Sequence, residues 1–433
     1  MCGTFEGAPS LGYTVQMSSS TPNESDVVIV GGGAAGLAVA CFVAALRPEW
    51  RIQLLAGARV LGAKLLLSGG GRCNLTHCAV NEADFNGAPA RLVRRVLSAF
   101  PVSRTLAFFR EIGVVVREER DGRVFPTSER ARDVRDALVA AVRARGVHVD
   151  SGARVTAIAR KAQGFVVETA QAGTCAALRV VVATGGRSYP QTGSDGTGYA
   201  LVRGLGHAIV TPTPALVPLV LEGTFHRRLS GVSHPAALRV RTSAGRPARL
   251  TGALLWTHFG VSGPVVLDGS RHWLRARLEG RSDPISLSFC PDEDEASLER
   301  GLLATAAARP RLLVTTALSE QLPRTLVDAL LAELQIPGTR PVSQLPRESR
   351  RRLVRALCEW PRCVRDSRGW DLAEVTAGGV PLDEIDCATM ESRRCTGLYL
   401  AGEILDVDGR VGGFNLQWAW SSAFVAARGV TAG

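Results

Sequence analysis

Lysine and aromatic residues are scarce in this chain. Only Lys64 and Lys161 are lysines, although lysine and arginine together number 51 in the 433 residues and the formal net charge is +11. The arginines are scattered without a run of five or six basic residues, and aromatic residues make up 6%. A polybasic tail and an aromatic platform for stacking bases are therefore missing. We expect no nucleic-acid partner and interpret the charge as a surface that attracts anions.

The sequence also lacks a secretory signal. The first 25 residues have neither a basic amino-terminal region nor an apolar core, and their Ser, Thr, Gly and Pro content predicts a disordered extension over residues 1–23. Met17 offers an alternative start of translation. Ten cysteines are too few for a disulfide framework at this length. We therefore predict a reduced, soluble, cytoplasmic protein of two or three domains, either a monomer or a homodimer.

Residues 27–46 are uncharged and long enough to imitate a transmembrane helix. Three consecutive glycines, Gly31 to Gly33, argue against a continuous helix. They divide the stretch into a short β-branched strand, a glycine turn and an alanine-rich helix. The pattern predicts a strand–turn–helix unit and no membrane partner.

This unit carries a dinucleotide-binding motif. Gly31, Gly33 and Gly36 form G-x-G-x-x-G directly after the strand. The first glycine permits the turn, the second lets the backbone approach a pyrophosphate, and the third lets the helix pack on the strand. The helix amino terminus offers free N–H groups to phosphates, so Ala34 and Ala35 are expected at the cofactor as well.

The second strand of the unit departs from the motif. A carboxylate about twenty residues beyond the last glycine usually accepts hydrogen bonds from the ribose hydroxyls. Ala56 and Gly57 occupy that region, and the next acidic residue is Glu82. Either the cofactor has been lost or its adenosine end is held in another way.

Two loops further along the chain are suited to a planar ligand. Residues 62–76, GAKLLLSGGGRCNLT, form a loop rich in backbone N–H groups that can approach a ligand closely. Residues 180–198 run from an apolar strand into Ala183, Thr184, Gly185 and Gly186, a strand end without bulky side chains. Such an end suits a second crossing of the cofactor at the carboxyl edge of a sheet.

Two later segments add polar groups. His258 lies in a polar elbow between apolar runs, where it could shuttle protons or contact substrate. Near the carboxyl terminus, a strand ends at Gly402 and Glu403, and Gly412 and Gly413 precede a helix. A carboxylate there can hold ribityl hydroxyls, and the helix amino terminus can stabilise negative charge on a reduced isoalloxazine ring. A nicotinamide-only enzyme has no need of this element, so FAD is favoured over NAD.

Taken together, these segments resemble the aminoacetone oxidase-like group of FAD-dependent oxidoreductases, which includes a bile-acid-inducible flavoprotein. The resemblance rests on VIVGGGAAGLAVA, KLLLSGGGRCNLT, ATGGRSYPQTGSDGTGYALVRGLGH, LLWTHFGVSGPVVL and VTAGGVPLDEIDCATMESRRCTGLYLAGEILDVDGRVGGFNLQWAWSSA, and it covers about residues 24–430.

The resemblance implies an α/β fold in which a two-dinucleotide-binding, Rossmann-like FAD domain is discontinuous. The implied FAD domain comprises residues 24–210 and 366–433, and the insert at 211–365 contains a β-barrel and a helical portion, the latter over residues 292–332.

The resemblance also implies a set of cofactor-binding residues. Those that match the family pattern are Gly31, Gly33, Gly36, Lys64, Ser68, Arg72, Cys73, Asn74, Thr184, Gly185, Gly402, Glu403, Asp406, Gly413, Asn415 and Gln417. Their neighbours Ala34, Ala35, Gly70, Ala183, Gly186 and Gly412, together with Val155 on the first strand of a predicted hairpin, complete the predicted cofactor site. The family normally carries Glu where this chain has Ala56, so we expect weaker FAD binding, by about 1–3 kcal/mol for one hydrogen-bonded contact.

The predicted reaction is hydride exchange between a small organic substrate and flavin N5. His258, Tyr189 and Arg72 are the candidates for catalytic contacts, and no metal site is expected. Molecular oxygen and NADH or NADPH both stay open as the electron partner, because no second complete G-x-G-x-x-G turn occurs.

Two alternatives are weighed against this prediction. Cys73 and Cys78 give a C-x₄-C spacing like that of flavin-linked disulfide reductases, but those enzymes also use a carboxyl-terminal histidine, and no histidine follows His272 here. A flavoprotein that acts on RNA would explain the basic charge, although no RNA-binding appendage or clustered basic segment is present.

Overall fold

The computed structural model describes residues 24–171, 173–241, 247–281 and 283–432. The predicted extension over residues 1–23, with Met17, lies outside the described residues. Within the described part of the chain, no helix combines the length and the apolar character needed to cross a membrane.

The amino-terminal part alternates strands and helices. Its elements are β1 (Glu24–Val30), α1 (Ala34–Leu46), β2 (Ile52–Ala56), β3 (Thr76–His77), β4 (Phe85–Gly87), α2 (Ala90–Ala99), α3 (Val102–Glu111), β5 (Val116–Glu118), β6 (Arg123–Pro126), α4 (Ala131–Ala144), β7 (His148–Ser151), β8 (Val155–Lys161), β9 (Gly164–Thr169), β10 (Gly173–Val182) and α5 (Thr197–Gly204).

The middle of the chain contains a second sheet and a helical group. Its elements are β11 (Val210–Ala215), β12 (Leu219–Leu221), β13 (Ser233–Arg241), β14 (Pro247–Thr257), β15 (Gly260–Ser262), α6 (Pro264–Leu278), β16 (Ile285–Ser288), α7 (Glu295–Ala308), α8 (Val314–Ser319), α9 (Arg324–Glu333), α10 (Arg347–Cys358), β17 (Trp360–Arg362) and β18 (Val364–Ser367).

The carboxyl-terminal part returns to the first sheet. Its elements are β19 (Val375–Gly379), β20 (Ile385–Asp386), β21 (Glu391–Ser392), β22 (Leu398–Leu400), β23 (Val407–Gly409) and α11 (Phe414–Ala432). Short 3₁₀ turns lie at Leu65–Gly71, Glu82–Asp84, Pro190–Thr192, Phe225–Leu229, Val342–Gln344, Leu382–Glu384 and Gly402–Ile404.

A parallel sheet forms the centre of the fold, with the strand order β7-β2-β1-β10-β22. Val30 at the end of β1 lies beside Leu55 and Val182, and Val182 lies beside Leu400. Residues 27–30 are at most 3% exposed, as expected for a parallel strand covered on both faces. The predicted α/β class is therefore confirmed, and the carboxyl ends of these strands meet at one edge.

The second sheet is rolled. Its antiparallel strands pair in the order β17-β16-β13-β14-β15-β12-β18, so β17 and β18 occupy its two edges. Only Cys363 separates these two strands in the chain, so the edges of the sheet meet there. Trp256, Leu238 and Leu287 are fully buried in the core of this region, against which the helical group packs.

The chain crosses between the two regions twice. β11 leads out of the first region, β19 leads back, and the two strands pair antiparallel. The predicted domain boundary at 210/211 lies at the start of β11, whereas the one at 365/366 lies within β18. The helical group extends beyond the predicted residues 292–332, because α10 ends at Cys358. The division into domains itself stays a prediction.

Helix α6 ties the insert to the carboxyl-terminal part. Arg271 donates two hydrogen bonds to the buried carboxylate of Asp408, at 2.6 and 2.8 Å. One turn earlier, Asp268 accepts a hydrogen bond of 2.7 Å from the backbone of Val411. These contacts fix the segment between β23 and α11, which borders the cavity described next.

Candidate active site

A cavity of about 430 Å³ opens at the carboxyl edge of the parallel sheet. Its size lies within the range of about 300–1,000 Å³ that is usual for small-molecule and cofactor sites. The ends of β1, β2 and β10 form one wall, and the segment before α11 forms another. Leu216, Glu374 and Val375, from the two crossings of the chain, close the side that faces the insert.

The glycine turn is shaped by close packing. Gly31 has a φ of +116°, and a methyl group on it would overlap the carbonyl oxygen of Ala183. A methyl group on Gly36 would overlap the carbonyl oxygen of Gly31. At Gly33, in contrast, an added Cβ would meet nothing within 4 Å, so the backbone faces open space in the cavity. The turn therefore presents the amino terminus of α1 to a ligand, as a pyrophosphate requires.

Two hydroxyl groups in the cavity wall lack hydrogen-bond partners among the described residues. Within the described part of the chain, neither Thr184 Oγ1 nor Ser194 Oγ has a hydrogen-bond partner, and both are buried. A buried unsatisfied polar group costs roughly 1–3 kcal/mol, which a polar ligand can recover. These hydroxyls and the open glycine turn fit a dinucleotide cofactor along the strand ends.

Near Ala56, the polar groups come from segments of the chain other than β2. Ala56 and Gly57 line the cavity where β2 ends. Arg154 and Thr197 also line it, and Asp195 accepts hydrogen bonds from both side chains, at 2.6 Å from Arg154 and 2.7 Å from Thr197. The adenosine end therefore has polar neighbours even though β2 contributes no carboxylate.

Lys64 and Glu403 form an ion pair in the cavity wall, with 2.6 Å between Nζ and Oε2. Ser188 accepts from Lys64 at 2.5 Å and donates to the other carboxylate oxygen of Glu403 at 3.0 Å. The backbone N–H of Thr376 donates to the same oxygen at 2.9 Å. The Glu403 carboxylate is therefore held in place by three donors.

The side chains of Glu374 and Tyr189 form no hydrogen bond with this network. Both line the cavity, and Glu374 is accessible to solvent. Desolvation by the surrounding protein raises the pKa of the Glu374 carboxyl. The charge of Lys64 opposes this effect, and the charge of Asp268 adds to it. Burial, together with Glu374, raises the pKa of the Tyr189 phenol. The cavity thus contains a carboxyl group that retains its proton at higher pH than an ordinary glutamate.

The amino terminus of α11 reaches the cavity through Gly412 and Gly413. A methyl group on Gly413, which has a φ of +93°, would lie 2.6 Å from the carbonyl of Thr76. Asn415 fixes the loop by accepting from Gly409 N and donating to Gly409 O, both at 2.8 Å. In the amide orientation that satisfies both partners, Asn74 accepts from Gly413 N and donates to Thr76 O, each at 3.0 Å.

The structure brings many of the predicted cofactor residues together. Those that line the cavity are Gly31, Gly33, Ala34, Ala35, Lys64, Ser68, Gly70, Asn74, Val155, Ala183, Thr184, Gly185, Glu403, Gly412, Gly413 and Asn415, together with the predicted catalytic residue Tyr189. Gly36, Arg72, Cys73, Gly186, Gly402, Asp406, Gln417 and His258 do not line it.

The residues outside the lining have other contacts. The Arg72 guanidinium lies 4.0 Å from the Phe125 ring centroid and donates to Glu119 at 2.8 Å. Gln417 is 1% exposed and bonds to Thr76, at 2.7 Å, and to the backbone of Phe100. Both side chains are therefore engaged in the protein framework around the site.

Gly186, Gly402 and Asp406 lie behind the residues that line the cavity. A methyl group on Gly186 would overlap the Thr376 hydroxyl, and the Gly402 N–H donates to Ser422 at 3.0 Å. Asp406 is buried, burial raises the pKa of its carboxyl, and its Oδ1 has no hydrogen-bond partner among the described residues. These positions therefore govern the shape of the cavity rather than its surface.

His258 and the cysteine pair lie away from the cavity. His258 is exposed on the turn between β14 and β15, with its ring 5.0 Å from that of Phe259. Cys73 is fully buried, and burial raises its pKa to about 12, whereas Cys78 is exposed. Both cysteines are free thiols and neither lines the cavity, so no contact supports the dithiol alternative.

Sequence reasoning did not find Glu374, Ser188, Arg154 or Ser194. Ser188 and Ser194 lie within the quoted segment ATGGRSYPQTGSDGTG but were not singled out, and Glu374 precedes β19 without a local pattern that marks it. The pairing of β19 with β11 brings Glu374 to the cavity next to Leu216. The signal that could have found it is positional, namely an acidic residue at the return from an insert.

An α/β protein with a dinucleotide turn, open strand ends and an insert that closes the far side has the architecture of a flavin-dependent oxidoreductase. Comparison with known proteins agrees. The family model described as HI0933-like protein Rossmann domain matches residues 25–429. The chain belongs to this HI0933-like family and is an FAD-dependent oxidoreductase, which confirms the predicted family resemblance.

Curated relatives extend over almost the whole chain. The 3-dehydro-bile acid delta(4,6)-reductase of Clostridium scindens is 34% identical over 400 residues, which are 92% of this chain and 97% of the relative. The ribosomal RNA dihydrouridine synthase of Escherichia coli is 31% identical over 410 residues, which are 94% and 98% of the two chains.

A solved structure shows the same fold at greater distance. The 3-ketosteroid delta1-dehydrogenase of Sterolibacterium denitrificans matches with a TM-score of 0.51 and 14% identity, covering 95% of this chain and 100% of that one. At this identity the likeness shows the fold alone. FAD as the cofactor is supported by the family, whereas NADH or NADPH as electron donor stays a prediction.

Proposed function

We propose that this protein reduces a carbon–carbon double bond conjugated with a carbonyl group in a small organic molecule. The names of the two relatives support this reaction class. A delta(4,6)-reductase of a 3-dehydro bile acid acts on double bonds next to a 3-oxo group, and a dihydrouridine synthase saturates a double bond next to a uracil carbonyl. FAD, when bound, supplies hydride transfer at N5 for such a reduction.

One observation carries the proposal, namely that the cavity does not end at the cofactor turn. It continues to Leu216, Val375 and Glu374 at the crossings to the insert. Two apolar side chains and one carboxyl group suit a molecule that is mostly apolar and has a polar carbonyl to be oriented. The protein would exclude water from this end while it positions the double bond.

A second candidate substrate is RNA, because arginine side chains lie over aromatic rings at two places, one of which is joined to Tyr189 in the cavity wall. The Arg187 guanidinium lies 5.0 Å from the Trp370 ring centroid, and that of Arg368 lies 4.5 Å from the Phe259 ring centroid. The backbone N–H of Tyr189 donates to Trp370 O at 3.1 Å, which links this surface to the cavity. Stacked arginines and aromatics are a common means of binding unpaired bases.

The experiment compares the two substrates on one protein. The holoenzyme is reduced anaerobically with NADH or NADPH, or with dithionite if neither works, and is then mixed with a 3-oxo-4,6-diene bile acid or with an unmodified ribosomal RNA transcript. Recovery of the oxidised flavin spectrum with the diene, with a saturated product, supports the small-molecule proposal. Dihydrouridine in the RNA supports the second candidate, and no reaction with either substrate contradicts both.

The RNA candidate predicts that particular surface arginines contribute to RNA binding. Arg187→Gln and Arg368→Gln should weaken RNA retention and reduce its dependence on salt, since each removes a cation. Arg300→Gln, an exposed arginine on α7, is the matched control with the same loss of charge. Equal effects of all three changes would assign the retention to net charge alone.

A further inference from the structure

We propose that Glu374 is the catalytic acid that protonates the substrate carbon next to the carbonyl group. This inference rests on the proposed function, because a proton donor to carbon is required only if a double bond is reduced. It concerns a residue that none of the sequence motifs marked.

The backbone of Glu374 is fixed while its side chain is free. Its N–H donates to Leu216 O at 3.2 Å, and its carbonyl oxygen lies 3.2 Å from the Ser188 hydroxyl oxygen, whose proton is donated to Glu403. The residue directly precedes β19, whose pairing with β11 closes this side of the cavity. In the part of the chain that the structure describes, no group donates a hydrogen bond to the carboxyl group, which lies in the cavity wall and is accessible. An acid whose backbone is fixed and whose carboxyl group accepts no hydrogen bond from the protein is suited to proton transfer.

The charged groups around Glu374 favour its protonated form. Loss of solvation raises the pKa of this carboxyl, and Asp268 on α6 raises it further, whereas Lys64 lowers it. Lys64 is already paired with Glu403 at 2.6 Å, so its charge is shared with another carboxylate. A glutamic acid whose pKa is moved toward neutrality is better matched to general acid catalysis than an unperturbed one.

The other acidic groups of the cavity are less suited to this role. Both carboxylate oxygens of Glu403 already accept hydrogen bonds, from Lys64, Ser188 and the backbone of Thr376, so this carboxylate is engaged with the protein. Tyr189 also lines the cavity, but burial raises the pKa of its phenol above the usual value of 10, so it is a weaker proton donor. Tyr189 can still donate a hydrogen bond to a substrate carbonyl.

The reaction balances with Glu374 as the acid. A hydride, which brings two electrons, would add to the carbon remote from the carbonyl, and its source would be FAD reduced by a two-electron donor such as a nicotinamide. The O–H bond of Glu374 breaks as a C–H bond forms at the carbon next to the carbonyl. The resulting carboxylate then takes a proton from water through the cavity.

The test separates proton transfer from electron transfer. Holoenzyme is reduced anaerobically with dithionite and mixed in a stopped-flow instrument with a 3-oxo-4,6-diene bile acid or with ferricyanide, which accepts electrons and needs no proton at carbon. Glu374→Gln should slow reoxidation by the diene by roughly 10²–10⁴-fold and leave reoxidation by ferricyanide unchanged. Asp371→Asn, which removes an exposed negative charge nearby, should change neither rate.

The pH dependence provides a second readout. In the wild-type protein the diene rate should fall as the pH rises through the pKa of Glu374, since the donor loses its proton. In Glu374→Gln this dependence should disappear, and Glu374→Asp should restore part of the rate with a displaced profile. If Glu374→Gln does not retain FAD, Glu374→Asp carries the test, and an undisplaced profile then overturns the proposal.

Failures of the two proposals are distinguishable. If the wild-type protein is reoxidised by the diene and Glu374→Gln reacts equally fast, or loses the diene and ferricyanide rates to the same extent, only the role of Glu374 is overturned. If the wild-type protein reduces only the RNA transcript, the same comparison of variants is made with RNA. If it reduces neither, the proposed function is overturned and the assignment of Glu374 with it.

Discussion

Single atoms decide whether the glycine turn can form. At Gly36 there is no unusual backbone angle, yet a methyl group would overlap the carbonyl oxygen of Gly31. The constraint is therefore one of space between helix α1 and the turn. At Gly33 the constraint is of another kind, because space is available and must remain available for a ligand.

Gly36→Ala should lower both stability and FAD content. Overpacking costs typically about 1–3 kcal/mol, and the displaced turn would no longer present its N–H groups correctly. Urea denaturation and the visible flavin absorbance of the purified protein measure the two effects. Gly301→Ala is the matched control, because an added Cβ there meets nothing within 4 Å and lies inside α7, so stability should rise by about 0.5–1 kcal/mol. Full FAD content and unchanged stability in Gly36→Ala would contradict this account.

Ala56 offers a gain of function at the adenosine end. Ala56→Glu places a carboxylate at the end of β2 beside the cavity, where ribose hydroxyls can donate to it. We expect FAD to bind more tightly by about 1–3 kcal/mol, which is roughly 5- to 150-fold in Kd. Calorimetric titration of the FAD-free protein measures the change, and Ala56→Gln, with the same length and no charge, should gain less. Unchanged or weaker binding by Ala56→Glu would mean that the other polar groups at this end already hold the ribose.

At the scale of elements, helix α6 carries two residues whose protonation changes the stability of the fold in opposite directions. Desolvation raises the pKa of Asp268 to about 6, while desolvation and then Arg271 lower the pKa of His272 to about 4. The folded protein therefore gains stability from Asp268 as the pH falls from about 6 to its ordinary value of 3.8. It loses stability from His272 as the pH falls from 6.5 to about 4, because the unfolded chain takes up the proton first.

His272→Gln should isolate the destabilising half of this pair. Relative to wild type, the variant should gain roughly 1–3 kcal/mol of unfolding free energy between pH 6.5 and pH 4, and the difference should be absent above pH 7. Chemical denaturation at a series of pH values measures the difference. His258→Gln is the control, because His258 is exposed and has no ion pair among the described residues. A difference between variant and wild type that does not depend on pH would assign the effect to packing.

The elements that local pattern specifies were predictable. The uncharged run at 27–46 contains β1 and α1, and Ala183 and Glu403, which the sequence pattern placed at strand ends, both line the cavity. The contacts of Gln417 and Arg72 were not predictable, because matching a motif does not tell whether a side chain faces the ligand or the framework. The position of Glu374 depends on strand pairing between residues far apart in the chain, which local sequence does not encode.

At the scale of the whole molecule, the cofactor should bind parts of the chain that are distant in sequence. The cavity is lined by segments from the amino-terminal part, the insert crossings and α11. Any ligand that binds only the folded form stabilises it by mass action, by about 2.7 kcal/mol at a free concentration of 100 times Kd.

FAD should therefore raise the Tm of the FAD-free protein by several degrees, whereas FMN should do so less at equal concentration, because it has no adenosine and no pyrophosphate to occupy the glycine turn. Differential scanning calorimetry measures both shifts. Adenosine monophosphate is the control for the adenosine end alone. Equal shifts with FAD and FMN would mean that the turn contributes no binding energy.

The rejoining of β22 to the central sheet sets an order for synthesis on the ribosome. Strand β10 pairs with β22, and α11 packs against α1, yet β22 and α11 follow the rolled sheet and its helices in the chain. The rolled sheet and its helices, in contrast, are contiguous in the chain and have their own buried core. The rolled sheet and its helices can thus complete their core while the first sheet still lacks a strand, and the cofactor site is finished only after they have been made.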